Sequence, residues 1–209
     1  MKKSKYDEFM IEEIMPSVCD ALEKEDSLFY SRFEKTLHKN FYDDYDKGIA
    51  SYILTERTIQ YIIFRELCVE YKFFPEDLAY TNSNERIDLS FYKNVTDTGT
   101  FAEIGVEIKQ VQFKKDGSLS LTSLNGIISD FDKIKRAGNK HKYILLLGLY
   151  RNSVLDLGYL KDSIYSEIDN RKFRKYDLNP IYQTSFPTSG YSDLQKYLLV
   201  LLKLNPKKN

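Results

Sequence analysis

Between residues 87 and 109 the chain alternates apolar and polar positions with a period of two. Ile87, Leu89 and Phe91 bracket Asp88 and Ser90, and Ile104, Val106 and Ile108 alternate with Gly105, Glu107 and Lys109. That period predicts two half-buried strands joined by a turn-rich segment over residues 94–100. On either side the spacing is helical. Thr55 is an N-cap residue for a helix carrying Glu56, Ile59, Gln60, Ile63 and Leu67 on one stripe. Leu124, Ile127, Ile128, Phe131 and Ile134 mark a second helix, ending at Gly138-Asn139. The apolar run over residues 143–150 predicts a buried central strand, reached by a right-handed crossover that implies parallel pairing. Residues 6–46 read as helices, with Pro16 in an early turn of the second and Leu22, Phe29, Phe33 and Leu37 at helical spacing. Residues 155–168 read as another helix. Ser192-Asp193-Leu194-Gln195 matches a capping box, predicting a last helix with Leu194, Tyr197, Leu198, Leu201 and Leu202 inward.

Pairing of the two strands would bring Asp88, Glu107 and Lys109 together on the face opposite the apolar rows, with the carboxylates within about 4–6 Å. Two carboxylates beside an ammonium suit the cutting of a phosphodiester. The carboxylates hold a hard cation such as Mg²⁺ or Mn²⁺, and the lysine orients a water or stabilises charge on the phosphate. The competing reading is a charged strand surface whose Glu and Lys merely pair with cross-strand neighbours.

With Asp88 as the motif aspartate and Glu107-Ile108-Lys109 as the (D/E)xK triplet, the chain resembles the PD-(D/E)xK superfamily of restriction endonuclease-like nucleases. Helices before and after the motif, over residues 55–71 and 123–136, extend the likeness to roughly residues 51–150; the family's proline before the aspartate is Ile87 here. The resemblance implies an α/β fold: a restriction endonuclease-like mixed sheet flanked by helices over residues 51–209, with an N-terminal helical extension over residues 1–50. It also implies a metal-dependent endodeoxyribonuclease leaving a 5′-phosphate, with double-stranded DNA as substrate. In that family an acidic residue of the first helix often completes the metal site; Glu56 fills the role here, with Glu66 as the alternative and a plain helix-dipole contact as the structural one. Asp130 and Lys133 match a D-x-x-K pattern found after the triplet in relatives, against the simpler reading of an i,i+3 ion pair. A dimer would supply two sites for two strands. The rival is a nuclease-fold protein without catalysis, acting as a DNA-binding or protein-interaction module, and RNA remains open as substrate.

Composition narrows the class only in part. The 209 residues are 42% hydrophobic and 30% charged, as in a single globular domain with a sizeable core. No apolar run reaches the roughly 20 residues of a membrane span, and the basic start Met1-Lys2-Lys3 leads into acidic helical sequence, so a cytoplasmic protein is expected. Cys19 and Cys68 lie in helical apolar patterns with no zinc spacing, and the two histidines, His38 and His141, exclude a His-rich metal site.

The net charge is zero but unevenly spread. Residues 1–56 carry 13 acids and 8 bases, whereas residues 109–142 carry 8 bases and 3 acids. Lys114, Lys115, Lys133, Lys135, Arg136, Lys140 and Lys142 thus gather behind the motif. Lys114, Lys115, Lys133, Arg136 and Lys140 are the phosphate-contact candidates, the alternative being a solvated helix end. Arg171-Lys172-Phe173-Arg174-Lys175-Tyr176 interleaves cations with aromatics, as in backbone contact plus stacking, or forms a solvated connector. The acidic-aromatic run over residues 40–48 reads as a loop.

Overall fold

Six strands form one mixed sheet in the order β1-β2-β3-β4-β6-β5. They are β1 Phe73–Asp77, β2 Ile87–Phe91, β3 Ile104–Gln112, β4 His141–Tyr150, β5 Tyr176–Pro187 and β6 Lys196–Pro206. The helices are α1 Lys5–Phe9, α2 Met15–Phe33, α3 Glu56–Leu67, α4 Leu121–Ile134 and α5 Leu157–Asn170, with a π-helical turn at Met10–Ile14 between α1 and α2. This computed structural model describes residues 4–33, 55–71, 73–77, 86–92, 102–114, 116–150, 155–170, 176–188 and 196–206. His38, Lys115, the run at 40–48, the turn at 94–100, the segment 171–175 and the capping-box residues 192–195 lie outside them. The fold is α/β.

β2 and β3 pair antiparallel, Leu89 opposite Val106 and Phe91 opposite Ile104. β3 and β4 pair in parallel, Ile104 opposite His141 through Gln112 opposite Leu149, joined by α4 as the crossover predicts. Side chains alternate between two apolar clusters. Ile104, Val106 and Ile108 of β3 and Tyr143, Leu145 and Leu147 of β4 face α1, α2 and α3. Val111, Ile144 and Leu146 face α4 and α5. β3 is therefore covered on both faces, and the polar row holding Glu107 and Lys109 lies under α4 rather than in open solvent.

The N-terminal helices share the first of these clusters, with Met10, Ile14, Val18 and Leu22 packed among Ile59, Leu89 and Leu199; they belong to the sheet's own core. The π turn precedes Pro16: Met15 N–H donates to the Met10 carbonyl five residues back. The wider turn suits a proline, which cannot donate and whose ring would collide with the carbonyl four residues earlier. Asp7 clasps α1 to the sheet. Its carboxylate accepts from the Tyr143 hydroxyl of β4 at 2.9 Å and from Lys203 Nζ of β6 at 2.7 Å, and it closes a capping box with Ser4.

The predicted last helix is instead strand β6. Tyr197, Leu199 and Leu201 enter one cluster, while Leu198, Val200, Leu202 and Leu204 enter the other. A strand buried on both faces reads as a continuous apolar run, from which helical spacing can always be picked out.

Candidate active site

Continuing the β2–β3 register by one pair sets Asp88 opposite Glu107. The ladder opens there, and the Asp88 carboxylate fills the gap: Oδ2 accepts from the Ile108 N–H at 2.7 Å. On α3, Gln60 Nε2 donates to the Asp88 carbonyl at 2.6 Å, tying the helix to the motif strand. The Asp88 and Glu107 carboxyl groups lie on neighbouring strands within electrostatic reach of one another. Glu107 is 2% exposed. Its burial, then the charge of Asp88, push its carboxyl up to about 8 against the pull of Lys133. Burial also raises Asp88, opposed by the Ile108 amide, Lys133 and Glu107.

Two residues along the same face, Lys109 lies between two further carboxylates. Its Nζ is 2.9 Å from Glu56 Oε1 and 3.0 Å from Asp130 Oδ2. The second contact is an ion pair by distance, but Asp130 Oδ2 is not aligned as a hydrogen-bond acceptor. Burial alone would lower the lysine's pKa; Glu56 and Asp130 reverse that and hold it charged. Glu56 also accepts from the Gln110 N–H at 3.2 Å. It is the first residue of α3, whose N-cap Thr55 accepts from Thr58 N–H as predicted.

The register of α4 over β3 decides which charges meet. Ser123 Oγ accepts from the Gln112 N–H at 2.8 Å, and Ser120 N–H donates to the Gln112 carbonyl at 3.1 Å. From that anchor α4 runs back along β3. Gly126, Asp130 and Lys133, spaced four and three apart, fall on one face and meet Lys109 and Glu107 in turn. Lys133 Nζ reaches Glu107 Oε2 at 2.8 Å. A Cβ at Gly126 would stand 3.1 Å from Lys109 Cε and 3.3 Å from Cδ, so the missing side chain gives the lysine stem its channel.

The structure thus brings Asp88, Glu107, Lys109 and Glu56 together, and redistributes their neighbours. Glu56 stands on Lys109 rather than on the Asp88–Glu107 pair. Glu66 lies exposed on α3. Asp130 and Lys133 each cross to β3, Asp130 to Lys109 and Lys133 to Glu107. Lys133 is consequently part of the cluster, not of an outward basic patch. Of the other phosphate-contact candidates, Lys114, Arg136 and Lys140 are exposed. Arg136 Nε donates to the Asp132 carbonyl at 3.1 Å, and Lys140 Nζ stands 3.9 Å from Glu103. Sequence reasoning missed Gly126, although a glycine inside a helical pattern is a signal of close packing.

Among the described residues no group of three or more His, Cys, Asp or Glu side chains is arranged around one metal position. The Asp88–Glu107 pair fits a smaller demand. It offers hard oxygen ligands from two adjacent strands, buried and acting on one another electrostatically, and Mg²⁺ is typically held by one or two carboxylates with water and substrate completing its shell. Among the described residues no helix is long and apolar enough to cross a membrane.

No protein-family model, no curated protein and no solved structure matches this chain.

Proposed function

We propose that this chain is a metal-dependent endodeoxyribonuclease of the PD-(D/E)xK kind, hydrolysing phosphodiester bonds in double-stranded DNA. The observation that carries the reading is the buried Glu107 under the charge of Asp88 from the neighbouring strand, with Lys109 next along the same face and held charged by two acids. Asp88 and Glu107 would hold Mg²⁺ or Mn²⁺. The bound ion would supply Lewis-acid activation of the phosphate and a lowered pKa for its water. Lys109, fixed from both sides, orients the attacking water and faces the charge developing on the phosphate. Glu56 and Asp130 set its position and keep its proton in place. Exposed Lys114, Arg136 and Lys140 offer phosphate contacts nearby, and a dimer would bring two such sites to one duplex.

Supercoiled plasmid incubated with and without Mn²⁺ tests the proposal. Wild type should nick or linearise it only with the ion, Asp88→Asn should be inactive, and Lys109→Ala should be slower by about 10²–10³. Full-rate cleavage by Lys109→Ala would show that the wrong residues carry the chemistry. The rival is a non-catalytic DNA-binding or protein-interaction module on the same fold. It predicts no heat of Mn²⁺ binding that depends on Asp88.

A further inference from the structure

The cluster beneath α4 contains four carboxylates, from Glu56, Asp88, Glu107 and Asp130, and two ammonium groups, from Lys109 and Lys133. The two lysines are bound differently. Lys109 has two acids that lie apart from the candidate metal pair. Lys133 has its Nζ 2.8 Å from Glu107 Oε2, on one of the oxygens a cation would need. A divalent ion bound to Glu107 at about 2.1 Å would lie within about 5 Å of that ammonium. Like charges so close, in a site screened from water, repel strongly. The two therefore compete for Glu107.

We propose that Lys133 is a tethered cation of the metal site: its ammonium rests on Glu107 when no metal is bound, and the incoming ion displaces it toward the substrate phosphate. This rests on the metal-dependent reading above. Two features make the exchange feasible. Lys133 lies in the last turn of α4, and its side chain is 24% exposed, so the four-carbon stem can swing outward without unfolding the helix. A cation released beside the metal would also be placed to meet phosphate oxygens. Metal and nucleic acid would then each favour the other's binding, as linkage requires. The device would hold the ammonium on the buried acid in the resting protein and offer it to substrate only when the metal is in place.

Calorimetric titration of Mn²⁺ at pH 7.5 tests the exchange on wild type, Lys133→Met and Lys135→Met. The last removes the same charge from the same helix end but from a lysine that pairs with Asp132. Lys133→Met should bind Mn²⁺ about tenfold more tightly than wild type, and Lys135→Met within about twofold. Lys133→Gln serves as a second variant should the methionine form fail to melt cooperatively. An uncleavable phosphorothioate duplex should tighten Mn²⁺ binding to wild type by more than it does for Lys133→Met. Wild type and Lys133→Met binding Mn²⁺ equally, or both lysine variants gaining equally, would overturn the exchange while leaving the metal site standing. Absence of Mn²⁺ binding in all three proteins would overturn the metal-dependent reading and the exchange with it.

Discussion

Gly126→Ala separates the stability of this fold from the working of its site. A Cβ added there stands 3.1 Å from Lys109 Cε, 3.3 Å from Cδ and 3.8 Å from Nζ, against an ordinary carbon–carbon separation of about 3.5–4.0 Å. The lysine stem must retreat by a few tenths of an ångström. Its Nζ now makes contacts of 2.9 Å to Glu56 and 3.0 Å to Asp130, and a shift of that size carries the first to the weak edge of hydrogen-bonding range and lengthens the second. Alanine is meanwhile the better helix residue, by about 0.8–1 kcal/mol in a helix interior. The gain and the local strain roughly offset, so stability should stay within about 1 kcal/mol of wild type, read from urea midpoints at unchanged slope. Mn²⁺-dependent plasmid cleavage should fall about tenfold, since displacing a catalytic group by 1 Å costs about 10². An activity-independent readout is the rate at which a soluble acylating reagent modifies Lys109, followed by mass spectrometry; a loosened ammonium should react faster. Unchanged acylation together with wild-type cleavage would refute the idea that Gly126 holds the lysine in place.

Three further expectations can be checked on the purified protein. Without metal, stability should decline from pH 5 to pH 8. Glu107 holds its proton up to about 8 in the fold, against 4.5 ordinarily, so the folded state binds the extra proton and loses that advantage as pH rises. The decline is roughly 3 kcal/mol at about 1.36 kcal/mol per pH unit, and Glu107→Gln should flatten it in urea titrations done in EDTA. Asp7 works in the opposite direction. Burial tends to raise its pKa, but Lys203, Ser4 and Tyr143 outweigh that and hold it below 3.8, so its contribution is present above that pH and lost below it; Asp7→Asn should cost about 3 kcal/mol at pH 7, leaving Lys203 unpaired. Removing Lys114, Arg136 and Lys140 together should weaken duplex binding at all sequences and flatten its salt dependence by about 2–3 in slope, an unchanged slope placing those cations away from phosphate.

Glu107 and Lys109 were legible in the sequence because alternation along β3 fixes which residues share a face, whatever packs above. On β2 the expected apolar row breaks, since Ile87 joins the α4-side cluster while Leu89 and Phe91 join the other, so Asp88 was legible by its place in the strand and not by its face. Thr55 and α3 were legible for a similar reason, since an N-cap and an apolar stripe are local signals. The partners of the triplet were not. Asp130 and Lys133 look like a local helical pair, and only the hydrogen bonds from Ser123 and Ser120 to Gln112, which set α4 against β3, send each to a different β3 charge. β6 was misread for the opposite reason: Tyr197 to Leu202 is apolar at every position, so its pattern contains both periods. The burial of the site under α4 was equally hidden, because Glu107 and Lys109 read as solvent-facing until the helix above them is placed.

The position of β6 has a consequence for how the chain is made. In the sheet it lies between β4 and β5, yet it follows both in the order of synthesis. Until residues 196–206 leave the ribosome, β5 has no strand to pair with and β4 presents an open edge. Asp7, made almost at the start, waits for Lys203, 196 residues later. A nascent chain that stalls in this interval displays the long apolar strand β4 with an unpaired edge beside an unpaired β5, the surface on which chains associate wrongly. Arrival of β6 covers the open edge of β4, gives β5 its partner and, through Asp7, locks α1 in the same step.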